Sequence, residues 1–207
     1  MDQNDKINFE YLKKYINEGD VLVDIGANTG IYTQYFNDVT NGNSKIYSIE
    51  MHPYNFKLLS NKYKNYKNII LENKAISNSN GIIDFYIGRG PCTHNIIGHD
   101  MNFNKNQKGG EIESITLDKL LENEEHIKLI KIDVEGAEKL VLKGMEKTIL
   151  KTDYIFIECH LNEDWKEIRG LLLNEYELTC SDITETEFIT KDNQRMYQCL
   201  CKTNNNA

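Results

Sequence analysis

Six side chains able to carry acid–base or ligand chemistry stand where short apolar runs end: Asp24, Glu50, Asp133, Glu135, Glu158 and His160. Asp24 lies in VLVDIGANTG (21–30), an apolar run that passes into Gly26, Asn28 and Gly30. Dinucleotide binding would call for G-x-G-x-x-G, whose glycines bring the backbone up to a pyrophosphate at a helix N-terminus. Here the spacing is G-x-x-x-G, Asn28 replaces the middle glycine, and an aspartate stands close to where the pyrophosphate would rest. A carboxylate there suits a cation. S-adenosylmethionine, with a sulfonium, an ammonium and no phosphate, meets that condition. Glu50 closes the next run, 20 residues after Gly30, where one carboxylate can accept hydrogen bonds from both ribose hydroxyls of an adenosine cofactor. Met51 is placed to cover a face of the adenine and Asn73, after a third run, to meet its edge; Met51 reads almost as well as core.

The second block, KIDVEGAE (131–138), delivers Asp133 and Glu135 at a strand end, and YIFIECH (154–160) delivers Glu158 and His160 beside it. Carboxylates at that lip suit proton abstraction or metal ligation. Glu138 reads as a helix-start charge that complements the macrodipole. His160 is the preferred general base, because an imidazole with a pKa near ~6.5 matches the task. The alternative is a divalent metal, Mg²⁺ for hard oxygen ligands, held by Asp133 and Glu158 with Glu135 as a further ligand. Between the blocks, GRGPCTHNIIGHD supplies Arg89, His94 and Asn95 as substrate contacts, alongside Glu158. Cys92, His94 and His99 match no closed zinc spacing, and His52 and His126 read as surface histidines.

The elements that must position these groups follow from the periodicity. An amphipathic helix runs up to Gly19; strands are expected at Val21–Ile25, Lys45–Glu50 and Ile69–Leu71, with helices at Ile31–Phe36 and Tyr54–Lys64 between them. Near-continuous apolar strands alternating with helices predict a doubly wound α/β sheet, mostly parallel, with helices on both faces. The rhythm breaks after a β-ribbon beginning at Gly81, and residues 88–113 read as a lid or substrate insertion. It resumes with a strand at Ile127–Ile132, a helix at Gly136–Leu150, a strand at Tyr154–Ile157 and a helix at Asn162–Leu173. Segments around Tyr176–Cys180 and Met196–Cys201 are expected as an antiparallel pair at the sheet edge, with Cys199 and Cys201 on one face. The 207 residues carry 24 Lys+Arg against 32 Asp+Glu, a net charge of −8. That excludes a basic face for nucleic acid. No run approaches the ~18 apolar residues of a membrane span. The five scattered cysteines do not form a disulfide framework. The expectation is one cytoplasmic domain over 1–207, acting on a small molecule; oligomeric state is left unassigned.

VLVDIGANTGIYTQYF, IEMHPYNFKLLSNKYKN, NKAIS, ITLDKLL, LIKIDVEGAEKLVLKG and IECH, in that order, resemble the FkbM-type S-adenosylmethionine-dependent methyltransferases over most of residues 20–160. The resemblance implies a class I methyltransferase (Rossmann-like) fold, a seven-stranded sheet with one antiparallel strand. It also implies methyl transfer to a hydroxyl of a sugar, glycolipid or polyketide-like molecule. By the same resemblance Asp24, Gly26, Asn28 and Gly30 form the methionine-side loop, Glu50 holds the ribose, and Asp133 and Glu135 lie nearest the transferring methyl. Met51 departs from the proline common after the acidic residue, and the segment from Gly88 does not match the family's serine-rich stretch. An NAD-dependent oxidoreductase and an inactive cofactor-binding module of the same fold remain as alternatives.

Overall fold

Val23, Ile25, Ile130, Ile132, Ile155 and Ile157 face one side of the central sheet, while Leu22, Leu129 and Phe156 face the other. Strands apolar on both faces need helices on both faces, and the computed structural model supplies them. It describes residues 3–88, 93–98, 105, 107–160, 162–178, 186–189 and 195–204. The first half comprises α1 (Gln3–Leu12), β1 (Val21–Ile25), α2 (Ile31–Val39), β2 (Lys45–Ile49), α3 (Pro53–Tyr63) and β3 (Ile69–Glu72). Three strands form a separate small sheet: β4 (Ala75–Ile76), β5 (Gly81–Ile87) and β6 (Gln107–Ile115). There follow α4 (Leu117–Leu120), β7 (Ile127–Ile132), α5 (Glu138–Lys143), β8 (Thr152–Cys159), α6 (Asn162–Gly170), β9 (Thr186–Ile189) and β10 (Arg195–Lys202).

The main sheet has seven strands in the order β3-β2-β1-β7-β8-β10-β9. The first five are parallel, and β10 runs antiparallel to both β8 and β9. The order reverses between β1 and β7, so their carboxyl ends open a crevice where this class of sheet binds ligands. Leu12, Phe36, Leu59 and Tyr63 from α1–α3 cover one face; Leu142, Trp165 and Ile168 from α5 and α6 cover the other. Each fully buried Leu or Ile contributes about 1.5–3 kcal/mol relative to exposure.

Four expectations are corrected. The first helix ends at Leu12 with one 3-10 turn to Tyr15, since Ile16 is already extended. The helix expected over Gly136–Leu150 stops at Lys143, because Gly144 packs against the chain at Ser77: a Cβ there would lie 2.1 Å from the Ser77 carbonyl oxygen. The insertion is shorter than 88–113, for Gln107–Ile115 is a strand paired with β5. Tyr176–Leu178 is no strand; the Tyr176 and Leu178 amides donate to Leu171 and Leu172 carbonyls and close the preceding helical segment. The edge strand paired with β10 is Thr186–Ile189 instead. Cys199 and Cys201 share a buried face, their sulfurs 3.6 Å apart.

Candidate functional site

Beyond the carboxyl ends of β1, β2 and β7 lies a cavity of about 320 Å³, lined among others by Gly26, Asn28, Tyr32, Glu50, Met51, His94, Lys131, Asp133, Glu135 and Glu158. Its size suits one small ligand. The loop after β1 is closed onto its neighbours by backbone bonds: the Gly26 and Ala27 amides donate to the Ile49 carbonyl at 3.0 and 2.9 Å. Gly26 has φ +76°, and a Cβ there would lie 1.8 Å from the Asp133 carbonyl oxygen. Only glycine permits that approach between β1 and β7.

Glu50 is 6% exposed, with each carboxylate oxygen held by one backbone N–H: Asn28 donates to Oε2 at 2.8 Å and His52 to Oε1 at 2.7 Å. Burial pushes its pKa up, partly offset by these two N–H groups. Each oxygen keeps lone-pair capacity for a further donor. Asn73 does not meet the cavity as expected. Its amide donates to the Glu50 and Met51 carbonyls at 2.8 and 3.0 Å, which fixes the turn behind Glu50. Met51 does line the cavity, packed against the cluster of Ala75, Phe85 and Ile112.

Asp24 and Gly30 also act from behind the wall. Asp24 is fully buried, accepts from Thr33 Oγ1 at 2.7 Å, and lies 3.4 Å from Lys131 Nζ. Gly30, at φ +84°, turns the chain into α2 and leaves its carbonyl to Tyr63 Oη at 2.8 Å. Lys131 is the residue that sequence reasoning missed. Its ammonium, 3% exposed, sits 3.1 Å from Asp133, donates to the Gly26 carbonyl at 3.2 Å, and lies 4.9 Å from the Tyr32 ring centre. Burial would lower its pKa, but Asp133 and Asp24 outweigh that and raise it. Asp133, despite burial, is held below its usual range by Lys131 and His160. A lysine on a strand covered on both faces was the available signal, since such a charge must have partners.

At the other end Asp133, Glu135 and Glu158 line the cavity, with His160 beneath them at 6% exposure. His160 Nδ1 lies 3.0 Å from Glu138 Oε1, and Glu138 is wholly buried. Glu138 stands in the first turn of α5 as expected, but buried and bonded to the ring. Burial would lower the pKa of the ring, but Glu135, Glu138 and Glu158 together raise it well above the ordinary value. Glu135 is pushed up to about 8, mainly by burial and then by neighbouring carboxylates, against the pull of His160. Its backbone is left-handed, φ 55°, a conformation that costs a bulky residue about 1–3 kcal/mol and is found where a side chain must be aimed.

Among the expected acceptor contacts, His94 reaches the cavity but on the Glu50 side. It stacks on His52, centres 3.8 Å apart and planes within 17°, and burial lowers the pKa of both rings. His52 is thus not a surface histidine, whereas His126 is half-exposed and pairs with Asp153 at 2.8 Å. Asn95 is 2% exposed and turns inward on its own loop, its Oδ1 accepting from the Ile97 and Gly98 amides. Arg89, Cys92 and His99 lie outside the described residues.

A hexuronic acid methyltransferase, AglP, of Haloferax volcanii is 28% identical over 160 residues, 75% of this chain and 62% of that protein. The crystal structure of methyltransferase FkbM from Methylobacillus flagellatus KT superposes with a TM-score of 0.63 at 19% identity, covering 90% of this chain and 44% of that one. This chain therefore spans less than two thirds of either relative. A Streptococcus mutans protein solved in complex with SAH has a TM-score of 0.58 at 11% identity, covering 98% and 99% of the two chains. These likenesses establish the class I methyltransferase fold. Residues 24–179 match the Methyltransferase FkbM domain, three quarters of the sequence, and the chain belongs to that family.

Proposed function

We propose that this methyltransferase uses S-adenosylmethionine and transfers its methyl group to a hydroxyl of a sugar. The observation that carries the reading is the two-ended cavity: a buried ribose-type acceptor, Glu50, at one end and three carboxylates, Asp133, Glu135 and Glu158, at the other. S-adenosylmethionine fits this donor set, since Glu50 offers spare lone pairs to two ribose hydroxyls and the acidic far end favours a sulfonium. Bound, it supplies an electrophilic methyl on a cationic sulfur. Met51 and His94 lie on the Glu50 side and would flank the base; Gly26 and Asn28 leave room between the ends for the methionine part. The sugar as acceptor class is supported by the hexuronic acid methyltransferase relative.

The residues at the acidic end then have two tasks. One is positioning: collinear placement of acceptor oxygen, methyl and sulfur can remove about 7–11 kcal/mol of the barrier. The other is taking the proton the hydroxyl loses as its oxygen–carbon bond forms and the sulfur keeps the electron pair of the breaking bond. Asp133 and Glu135 border that position. His160 lies beneath both, its Nε2 3.6 Å from Asp133 Oδ1 and 3.7 Å from Glu135 Oε1.

The test is to incubate the protein with methyl-labelled S-adenosylmethionine and a panel of uronic acids, neutral hexoses and their glycosides. Base-stable label in a sugar product is expected, because an ether survives alkali. Base-labile label would mean an ester on a uronate carboxylate and would overturn the hydroxyl assignment. NADH binding in preference to S-adenosylhomocysteine would support the oxidoreductase reading instead.

A further inference from the structure

Beneath the acidic end of the cavity, donor atoms from two neighbouring strand ends converge on one point. His160 Nε2 lies 3.4 Å from Glu158 Oε1, 3.6 Å from Asp133 Oδ1 and 3.7 Å from Glu135 Oε1. Good N–H···O bonds are shorter, about 2.7–3.2 Å. Ligands that share one cation at about 2.1 Å stand about 3.0–3.4 Å from one another, and the 3.4 Å between His160 Nε2 and Glu158 Oε1 falls in that range. Donor atoms of Asp133, Glu158 and His160 all lie within 4.8 Å of one another.

Two independent features point the same way. His160 Nδ1 is committed to Glu138 Oε1 at 3.0 Å, and the same oxygen accepts from the Gly136 amide at 3.0 Å. A carboxylate behind the ring holds the proton on Nδ1, so that a cation displacing the Nε2 proton would meet a lone pair facing the cluster, the usual support of a metal-binding histidine. Moreover, Glu138 Oε2 and Gln198 Oε1 have no hydrogen-bond partner, in side chains that are 0% and 3% exposed. The remaining polar atoms of those two residues hold cluster members: Glu138 Oε1 holds His160, and Gln198 Nε2 donates to Glu158. Both orphans are acceptors. Water on the open positions of a hydrated cation would supply the missing donors.

We propose that Asp133, Glu158 and His160 bind one divalent cation, with Glu138 as a positioning residue behind the imidazole. One imidazole and two carboxylates suit Mn²⁺, Fe²⁺ or Zn²⁺ better than the Mg²⁺ expected for oxygen ligands alone. Asp133 and Glu158 also line the cavity, so the ion would reach the acceptor end. Its role there rests on the methyl-transfer reading: a sugar hydroxyl on an open coordination position would be oriented and made more acidic.

The full chain, stripped with chelator and dialysed, is titrated with Mn²⁺ while the resonance signal of the free aqua ion is followed. Uptake of about one equivalent is expected, weakened at least tenfold in Glu158→Gln and His160→Gln and about tenfold in Glu138→Gln, with Glu122→Gln unchanged. Glu158→Gln, a same-size change at a partly exposed position, keeps the test valid should His160→Gln fail to fold. No uptake of Mn²⁺ or Zn²⁺ by the wild type, or uptake indifferent to Glu158→Gln and Asp133→Asn, would overturn the site. Calorimetric binding of S-adenosylhomocysteine in chelator separates the two readings: binding without metal uptake removes the cation and leaves methyl transfer standing, and the converse result does the opposite.

Discussion

Glu50 and Glu135 show how differently two carboxylates can be held in one cavity. Glu50 is gripped by backbone amides on both oxygens, so its orientation is set before any ligand arrives. Glu50→Ala should weaken S-adenosylmethionine binding by about 1.5–3 kcal/mol, the usual worth of hydrogen bonds to a charged group; an unchanged calorimetric affinity would remove Glu50 from the site. Glu135 is held against its own preference, in a left-handed conformation and among like charges. Glu135→Gly should therefore stabilise the fold by about 1 kcal/mol while lowering turnover, read by thermal unfolding and methyl transfer on the same preparation. A variant both less stable and fully active would contradict the strain argument. Residue identity was legible where a motif spelled it out, as at Glu50, Asp133 and Glu158. At His160 the type of the residue suggests its ordinary pKa, and only the fold places around the ring the carboxylates that raise it. Lys131 went unnoticed for the same reason, since its partners Asp24 and Asp133 come from two different strands.

Strand ends and the loops that follow them set the site, and they depend on close backbone approach. In Gly26→Ala the added Cβ would meet the Asp133 carbonyl oxygen at 1.8 Å, and β1 and β7 would have to part. We expect a loss of about 2 kcal/mol of stability together with at least tenfold weaker S-adenosylhomocysteine binding; intact affinity would show the loop tolerates the shift. At the far ends of the strands Asp153 ties β8 to β7 through Lys128 and to the chain at His126, 2.9 and 2.8 Å away. Although burial opposes it, Lys128 and His126 hold the Asp153 carboxyl below its usual range. A carboxylate depressed in the folded state lends stability above its unfolded pKa, and that stability is lost as pH falls through the folded one. Asp153→Asn should thus cost about 1 kcal/mol near neutrality, with the two unfolding curves converging at acidic pH; a gap that persists at low pH would mean packing, not charge. Strands read well from the sequence because burial on both faces leaves continuous apolar runs. Helix ends and the strand at Gln107–Ile115 did not, because they are decided by tertiary contacts such as Gly144 against Ser77, and by pairing with β5, which no local period records.

Across the whole molecule the alternation of strand and helix was enough to foresee the doubly wound sheet, while the strand order is given only by the structure. The acidic balance, −8 over 207 residues, argues against a polyanionic substrate even though methyltransferases of this fold have varied acceptors. Filter binding with structured RNA at physiological salt should show no saturable association; affinity that falls steeply with added salt would contradict that expectation. Among the described residues no helix is long and apolar enough to cross a membrane.

The antiparallel strand β10 has a consequence for synthesis on the ribosome. It lies between β8 and β9, so the partner of Thr152–Cys159 on that side is made some 40 residues later. Until residues 195–202 have left the exit tunnel, β8 presents a bare, apolar, hydrogen-bond-hungry edge, the kind that recruits other nascent chains. The domain can collapse early around β1, β2 and β7, but β8 is covered on that side only once β10 has emerged, and a holding chaperone is most useful in that interval.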